Sequence, residues 1–154
     1  MVVFNEMTKE KLYTKIMALI DERIETAQMA IASAKESRDS ETKSSVGDKY
    51  ETGRTLMQQE VEKNRVQLHK AEMLKTELEN IDVKKKFDKV EFGSLVSDGI
   101  NLYFIATALG KIDVDGKSCF CISLASPIGK ALHNKSVGDK VTFMGRTIEV
   151  VEIE

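Results

Sequence analysis

Gly47-Asp48-Lys49-Tyr50-Glu51 is a short acidic segment that separates two long stretches of helical sequence. It is predicted to form the turn of a helical hairpin. The tip of such a hairpin lies far from everything else that the chain builds. Two carboxylates placed there, those of Asp48 and Glu51, can be delivered into a deep site on another molecule.

The sequence before this turn predicts a helix from Thr8 to Ser37, a stretch that contains neither proline nor glycine. Thr8 is the predicted N-cap. Residues 37–46 are polar and have no apolar periodicity, so they are predicted to break the helix. The apolar residues of the helix alternate in steps of four and three, which is the heptad pattern of a coiled coil: Tyr13, Met17, Ile20, Ile24, Ala27, Ile31 and Ala34.

A second helix is predicted from Asp48 to about Ile81, and residues 84–86 form a charged hinge after it. Together the two helices predict an antiparallel coiled-coil hairpin that occupies residues 1–84. The apolar seam of the second helix consists of Met57, Val61, Asn64, Leu68, Ala71, Leu74 or Lys75, and Leu78.

After Phe87 the sequence changes to a strand-like pattern, which predicts a small β-rich domain over residues 85–154. Pro127 marks the first turn of a short helix that reaches about Leu132. The predicted fold class is therefore α+β. Five strands are predicted, at residues 90–96, 102–106, 118–124, 140–144 and 147–153, with turns at residues 97–99, 113–116 and 145–146.

The composition excludes several classes of protein. A net charge of −2 argues against broad electrostatic binding of nucleic acid, which needs a basic face. We expect no signal peptide, no membrane span and no membrane partner. Cys119 and Cys121 are expected to lie on opposite faces of a strand and to stay unbridged, as in a reducing cytoplasm.

Four motifs in this order resemble the Gre family of bacterial transcript cleavage factors. They are the Gly-Asp-x-x-Glu turn at residues 47–51, Gly-Ser-x-Val at 93–96, Ser126-Pro127-Ile128, and Gly-Asp-Lys-Val at 138–141. The resemblance covers nearly the whole chain and is strongest at residues 126–153. It implies an N-terminal antiparallel coiled coil followed by a C-terminal domain of FKBP-like topology with one short helix.

The resemblance also implies a function. The C-terminal domain of the family docks at the rim of the secondary channel of RNA polymerase, and the coiled coil enters that channel. Asp48 and Glu51 match the acidic pair that helps to hold a second Mg²⁺ in the polymerase active site, where the polymerase cuts its own backtracked RNA. The chain would then be no enzyme itself, would have no cofactor of its own, and would contact RNA and DNA only indirectly. Partner-binding positions implied by the resemblance are Tyr50, Arg54, Ser126, Pro127 and Ile128.

The tip departs from the family pattern. Thr52-Gly53-Arg54-Thr55 stands where the family usually has Asn, Ala, an acidic residue and Tyr. Arg54 thus replaces a negative charge, and the predicted turn is longer by residues 38–46, in which Asp39 and Glu41 offer alternative carboxylates. Considered alone, Asp48 is simply a helix cap.

Three alternatives to cleavage stay open at this stage. One is a regulator that binds the secondary channel without stimulating cleavage, which the altered tip favours. Another is a peptidyl-prolyl isomerase or chaperone that uses the FKBP-like domain, and it would require an aromatic-lined pocket. The last is a structural coiled-coil adaptor, which the match at residues 126–153 argues against.

Overall fold

A computed structural model describes residues 9–44 and 48–154 of the chain, and side chains in residues 9–40 and 51–154. Two long helices come first, α1 at Lys9–Ser44 and α2 at Asp48–Glu79. The predicted N-cap Thr8 and the turn residue Gly47 lie outside the described residues. The predicted start of the second helix at Asp48 is confirmed.

The two helices contact each other in antiparallel order. Lys75 Nζ lies 2.8 Å from the Asp21 carboxylate, and Arg38 donates to Gln58 Oε1 at 2.7 Å, so positions further along α1 meet positions earlier in α2. The predicted heptad seam is confirmed, because every seam residue is buried or half-buried. The most deeply buried seam residues are Ile20, Ala27, Ala34, Val61, Ala71 and Leu78.

The predicted break at residues 37–46 is wrong over most of its length, since α1 continues to Ser44. The helical part of the segment, residues 37–44, contains no apolar residue, but this does not prevent a helix. It also lacks glycine and proline, the two residues that end helices most effectively. The additional residues therefore lengthen α1 rather than the turn.

The chain forms two compact units. One comprises most of both helices and the tip between them, Ala18–Lys75. In the other, the described residues are 9–17 and 76–154, so the base of each helix belongs to the same unit as the C-terminal domain. The predicted division of the chain after residue 84 stays a prediction.

Lys9 ties the first turn of α1 to the segment after α2. Its side chain is only 1% exposed, and its Nζ donates to the backbone carbonyl of Lys85 at 2.7 Å. The same ammonium lies 4.8 Å from the centre of the Phe87 ring, a cation–π contact. Burial lowers the pKa of Lys9, and the nearby carboxylates of Glu154 and Asp82 act in the opposite direction. These contacts offset the cost of burying a charge.

A mixed five-stranded sheet forms the centre of the C-terminal domain, with strand order β3-β4-β2-β1-β7. Its strands are β1 at Leu95–Ser97, β2 at Leu102–Ile105, β3 at Gly110–Val114, β4 at Lys117–Ile122 and β7 at Glu152–Ile153. The β2–β4 pair is parallel, and the other pairs are antiparallel. A separate hairpin joins β5, Lys140–Phe143, to β6, Arg146–Glu149.

The sequence-based strand assignment is correct in outline and wrong in three details. The prediction contains no strand at β3 and places its last two residues in a turn, although only Asp115 and Gly116 separate β3 from β4. The first strand begins at Leu95 rather than residue 90, because Gly93 has a φ of +93° and a turn from Glu91 to Ser94 precedes it. The β5–β6 turn consists of Met144 and Gly145, and the chain after Glu149 leaves that hairpin to form β7.

Cys119 and Cys121 lie on the same face of β4, contrary to the expectation of opposite faces. Residues two apart in a strand share a face, so the expectation was physically mistaken. Both thiols are free and almost fully buried. Burial raises the pKa of the Cys119 thiol to about 12 and raises that of Cys121 as well.

We expect both thiols to resist alkylation in the folded protein at pH 9. A pKa raised from 9.0 to about 12 keeps Cys119 protonated where an ordinary thiol is half ionised, and the thiolate is the reactive form. Iodoacetamide labelling followed by mass spectrometry should be at least ~100-fold slower in the native protein than in denaturant, since ionisation falls tenfold per pKa unit. Equal labelling rates in the two states would contradict this prediction.

The core of the C-terminal domain lies on one face of the sheet, against α3 (Pro127–Leu132) and the β5–β6 hairpin. The predicted short helix is confirmed. The other sheet face, which carries Phe104, is also buried. The buried residues of this core are Val90, Val96, Tyr103, Ile105, Leu132, Val141, Ile148 and Val150.

Candidate functional site

The first candidate site is the hairpin tip, where α2 begins at Asp48. Glu51 lies in the first turn of α2 and is exposed, so its carboxylate faces solvent. The N-terminus of a helix favours negative charge because the peptide dipoles leave it partly positive. The side chains of Asp48 and Tyr50 lie outside the described residues, so the predicted pairing of Asp48 with Glu51 stays a prediction.

A polar network links the two helices near this tip. Arg38 donates from Nη1 to Gln58 Oε1 and from Nε to the Asp39 carboxylate at 3.3 Å. Gln58 in turn donates to Glu62 at 2.8 Å. Asp39, one of the alternative tip carboxylates, is therefore already engaged by Arg38. Glu41 has no described side chain, and Arg54 is exposed on α2.

The second candidate site begins at α3. Ser126 is the N-cap of this helix: its Oγ accepts from the Gly129 N–H at 3.0 Å and donates to the Ser123 carbonyl at 2.7 Å. Pro127 occupies the first helical position and is exposed, whereas Ile128 is half-buried and packs against the core. Ser126 and Pro127 thus determine where α3 begins, and Ile128 packs the helix against the core of the domain.

A pocket of about 380 Å³ lies beside Ile128. Its aromatic residues, Tyr103 on β2 and Phe120 on β4, stack with ring centroids 5.9 Å apart and planes 27° apart. Asn101 and Arg146 add an amide and a cation. The full set of lining residues is Asn101, Tyr103, Phe120, Ile122, Ile128 and Arg146.

The electrostatics of the pocket depend on Asp98, which lies in the turn between β1 and β2. Its carboxylate accepts hydrogen bonds from the backbone N–H groups of Ile100 and Asn101 and from the Tyr103 hydroxyl at 3.3 Å. Burial, followed by the Asp98 charge, raises the pKa of Tyr103. Tyr103 therefore stays neutral at physiological pH, and Arg146 is the charged residue among those that line the pocket.

Sequence reasoning found one residue of this pocket, Ile128, and missed the others as site residues. Tyr103 and Phe120 lie at strand positions, where an aromatic residue is as suitable for a core as for a pocket. The pocket depends on the parallel pairing of Tyr103 with Phe120, which no local sequence pattern reveals. In the sequence, only the SPI motif at residues 126–128 indicated that this part of the surface has a functional role.

The structure contains no helix, in the part that it describes, that is both long and apolar enough to span a membrane. Among the described side chains, no group of three or more His, Cys, Asp or Glu residues is placed to hold a metal ion. Any metal role of the tip therefore depends on ligands from another molecule or on side chains outside this set.

Comparison with known families identifies the C-terminal domain. Residues 84–154 match the family described as Transcription elongation factor, GreA/GreB, C-term. The domain that carries α3 and the pocket is thus similar to the C-terminal domain of these transcription elongation factors, as the Gre resemblance indicated for this part of the chain. Neither the curated proteins nor the solved structures gave a match.

Proposed function

We propose that the chain binds bacterial RNA polymerase in the cytoplasm through the secondary channel and stimulates cleavage of backtracked RNA. The single observation that carries this proposal is the GreA/GreB C-terminal domain at residues 84–154, preceded by a long helical hairpin. The polymerase supplies the active site, so the chain acts as a factor that stimulates the polymerase and is not an enzyme itself.

The hairpin is suited to delivering a group into a deep channel. The 32 residues of α2 extend over about 48 Å at 1.5 Å per residue. Antiparallel pairing supports each helix along the other, and the Arg38–Gln58 hydrogen bond joins them near the tip. A carboxylate at the tip is then presented by two helices that stabilise each other, which limits its freedom of orientation.

Asp48 and Glu51 are proposed to bind Mg²⁺ together with residues of the polymerase. Mg²⁺ keeps several water ligands and takes only one or two carboxylates from a protein, which fits an exposed pair better than an enclosed cage. When bound, a second metal ion stabilises charge on the oxygens of a phosphoryl group during hydrolysis. The contribution of this chain is to present Glu51 in solvent on the first turn of α2, where Asp48 begins the helix.

A non-cleaving regulator is the second candidate, and the tip favours it. Arg54 lies three residues after Glu51 and on the same side of α2, where the family usually has an acidic residue, and its charge opposes the binding of a cation. The extension of α1 to Ser44 also lengthens the arm beyond the pattern of the family. Such a protein would occupy the channel without promoting hydrolysis.

The isomerase alternative has one supporting observation, the pocket with Tyr103 and Phe120 in its lining. A prolyl isomerisation assay on a short peptide separates it from the other two. We favour polymerase binding because the domain belongs to a family of transcription elongation factors.

The test uses the full chain and core RNA polymerase from the same organism. Co-purification should show binding, and backtracked elongation complexes should release short 3′ RNA fragments faster when the chain is added with Mg²⁺. Binding without faster cleavage would support the regulator instead. Absence of both binding and cleavage would overturn polymerase binding as the function.

A further inference from the structure

Lys9 is the one fully buried charged side chain among the described residues, and the proposed mechanism gives it no role. Lysine is almost never fully buried, because an ammonium group loses its hydration when it leaves water. An apolar side chain of similar volume in place of a buried charge is often neutral or stabilising by comparison. Packing alone therefore does not account for a lysine at this position.

The ammonium group makes a directional contact that an apolar side chain cannot make. Lys9 Nζ donates to the backbone carbonyl of Lys85 at 2.7 Å, and Lys85 lies outside every helix and strand. A turn holds this part of the backbone, because the Lys85 N–H donates to the carbonyl of Asp82 at 3.2 Å. Apolar contacts are non-directional, whereas a hydrogen bond weakens steeply when its geometry changes. The contact thus specifies where the first turn of α1 lies relative to the segment after α2.

The ring of Phe87 provides the second contact and links Lys9 to the C-terminal sheet. The ring centre lies 4.8 Å from Lys9 Nζ and 4.9 Å from Lys85 Nζ. The ring also lies against Gly93, where a Cβ atom would be 3.5 Å from the Phe87 Cζ. The Gly93 N–H in turn donates to the carbonyl of Ile105, in strand β2, at 2.7 Å. Lys9 therefore contacts a site that belongs to the C-terminal domain as well as to the end of the hairpin.

A displacement of the first turn of α1 is transmitted along the helix. α1 runs from Lys9 to Ser44 without interruption. Sliding a helix by one residue moves every position in it by about 1.5 Å along its axis. A misplacement of about 1 Å at a reacting group can reduce a rate by about two orders of magnitude. The placement of the first turn therefore affects any reaction that depends on the position of the far end of α1.

We propose that Lys9 is a positioning residue for stimulated cleavage, and that it acts by fixing the first turn of α1 in one arrangement against Lys85 and Phe87. This inference rests on the proposed function. The hydrogen bond and the cation–π contact distinguish this arrangement from others that bury the same apolar surface. The ammonium group thus contributes specificity of arrangement rather than stability.

The test compares Lys9→Met and Lys9→Arg with the wild-type full chain. Methionine has no donor, whereas arginine keeps a cation and N–H donors. Lys9→Met should lower the cleavage rate at a saturating concentration of the chain about tenfold, while the Kd for core polymerase changes less than about twofold. Lys9→Arg should retain at least about half of the wild-type rate. The thermal unfolding midpoint of Lys9→Met should stay close to that of the wild type, because the saved cost of burying an ammonium group offsets the lost hydrogen bond.

Lys11→Met is the matched control, since it removes the same charge from the same end of α1. Lys11 Nζ lies 3.6 Å from the Asp115 carboxylate, and both side chains are exposed. Exposed ion pairs contribute little to stability. We therefore expect Lys11→Met to bind and to cleave as the wild type does.

A second measurement needs no polymerase. In two-dimensional proton–nitrogen NMR spectra, Lys9→Met should show additional or broadened amide signals for residues 9–17 and 81–90, because several arrangements of the first turn become populated. The wild-type chain and Lys11→Met should show one sharp signal for each of these residues.

The outcomes separate this inference from the proposed function. If the wild-type chain stimulates cleavage and Lys9→Met does so equally, or gives single sharp signals, the positioning role is wrong and the proposed function stands. An equal loss of cleavage in Lys11→Met or Lys9→Arg would also overturn it, because the effect would not depend on the buried hydrogen bond. A midpoint lowered by more than about 10 °C in Lys9→Met would make Lys9 a residue of stability instead. If the wild-type chain neither binds polymerase nor stimulates cleavage, the proposed function fails, and the role of Lys9 in cleavage fails with it.

Discussion

Replacement of Asp48 and Glu51 by alanine is expected to reduce stimulated transcript cleavage on the order of 100-fold while polymerase binding persists. The pair is proposed to hold a metal ion that stabilises the hydrolytic transition state, and a 100-fold loss corresponds to roughly 3 kcal/mol. Binding should persist because the C-terminal domain, which is proposed to dock on the polymerase, is unchanged in this variant. Single-turnover cleavage in backtracked complexes at fixed Mg²⁺, with a parallel binding titration, measures both effects.

Asp39→Ala/Glu41→Ala is the matched control, since it removes the same number of carboxylates from the end of α1. Asp39 is hydrogen-bonded to Arg38, so this variant should cleave at a rate close to that of the wild type. Loss of cleavage in the control, with normal activity of the Asp48/Glu51 variant, would move the metal-binding role to the carboxylates of α1.

Phe104→Ala is expected to destabilise the C-terminal domain by roughly 3–5 kcal/mol, as do other deletions of fully buried aromatic side chains. Phe104 has no solvent exposure and lies on β2, which pairs with β1 on one side and β4 on the other. A loss of this size is a large fraction of the 5–15 kcal/mol that typically stabilises a folded protein. Urea unfolding followed by near-ultraviolet circular dichroism measures it.

Val137→Ala provides the comparison for this variant, because Val137 is 59% exposed. We expect it to change the free energy of unfolding by no more than about 0.5 kcal/mol. If the two variants were equally stable, the assignment of Phe104 to a tightly packed interior would be incorrect.

The helical hairpin was predictable because its information is local. Ile20, Ala27 and Ala34 recur in α1 at the spacing that brings them to one side of a helix, and their burial follows. The end of α1 was misplaced because the polar residues near Asp39 were interpreted as a break. A polar sequence indicates that a segment is exposed to solvent. It does not distinguish a loop from an exposed helix, because an exposed helix without glycine or proline has the same composition.

The C-terminal domain was predictable in its strands and helix but not in its pairing. Strand-like sequences bounded by turn signals identified β2 and β4, whereas β3 was missed because only Ile112 is buried on this edge strand. The parallel contact between Tyr103 and Phe120, which builds the pocket, joins segments separated by a third strand and a turn. Only the SPI motif at α3, interpreted through a family resemblance, indicated this region.

The contact between Lys9 and the Lys85 carbonyl has a consequence for how the protein is made. The two residues are 76 positions apart, so on the ribosome Lys9 emerges long before its hydrogen-bond acceptor has been synthesised. Ala18–Lys75 can pair as soon as the second helix is complete, but the base of α1 must wait for the residues after it. Contacts of such long sequence separation form slowly. We therefore expect Ala18–Lys75 to fold first in the nascent chain. The first residues of α1, with the buried ammonium of Lys9, should be the last part of the hairpin to become ordered.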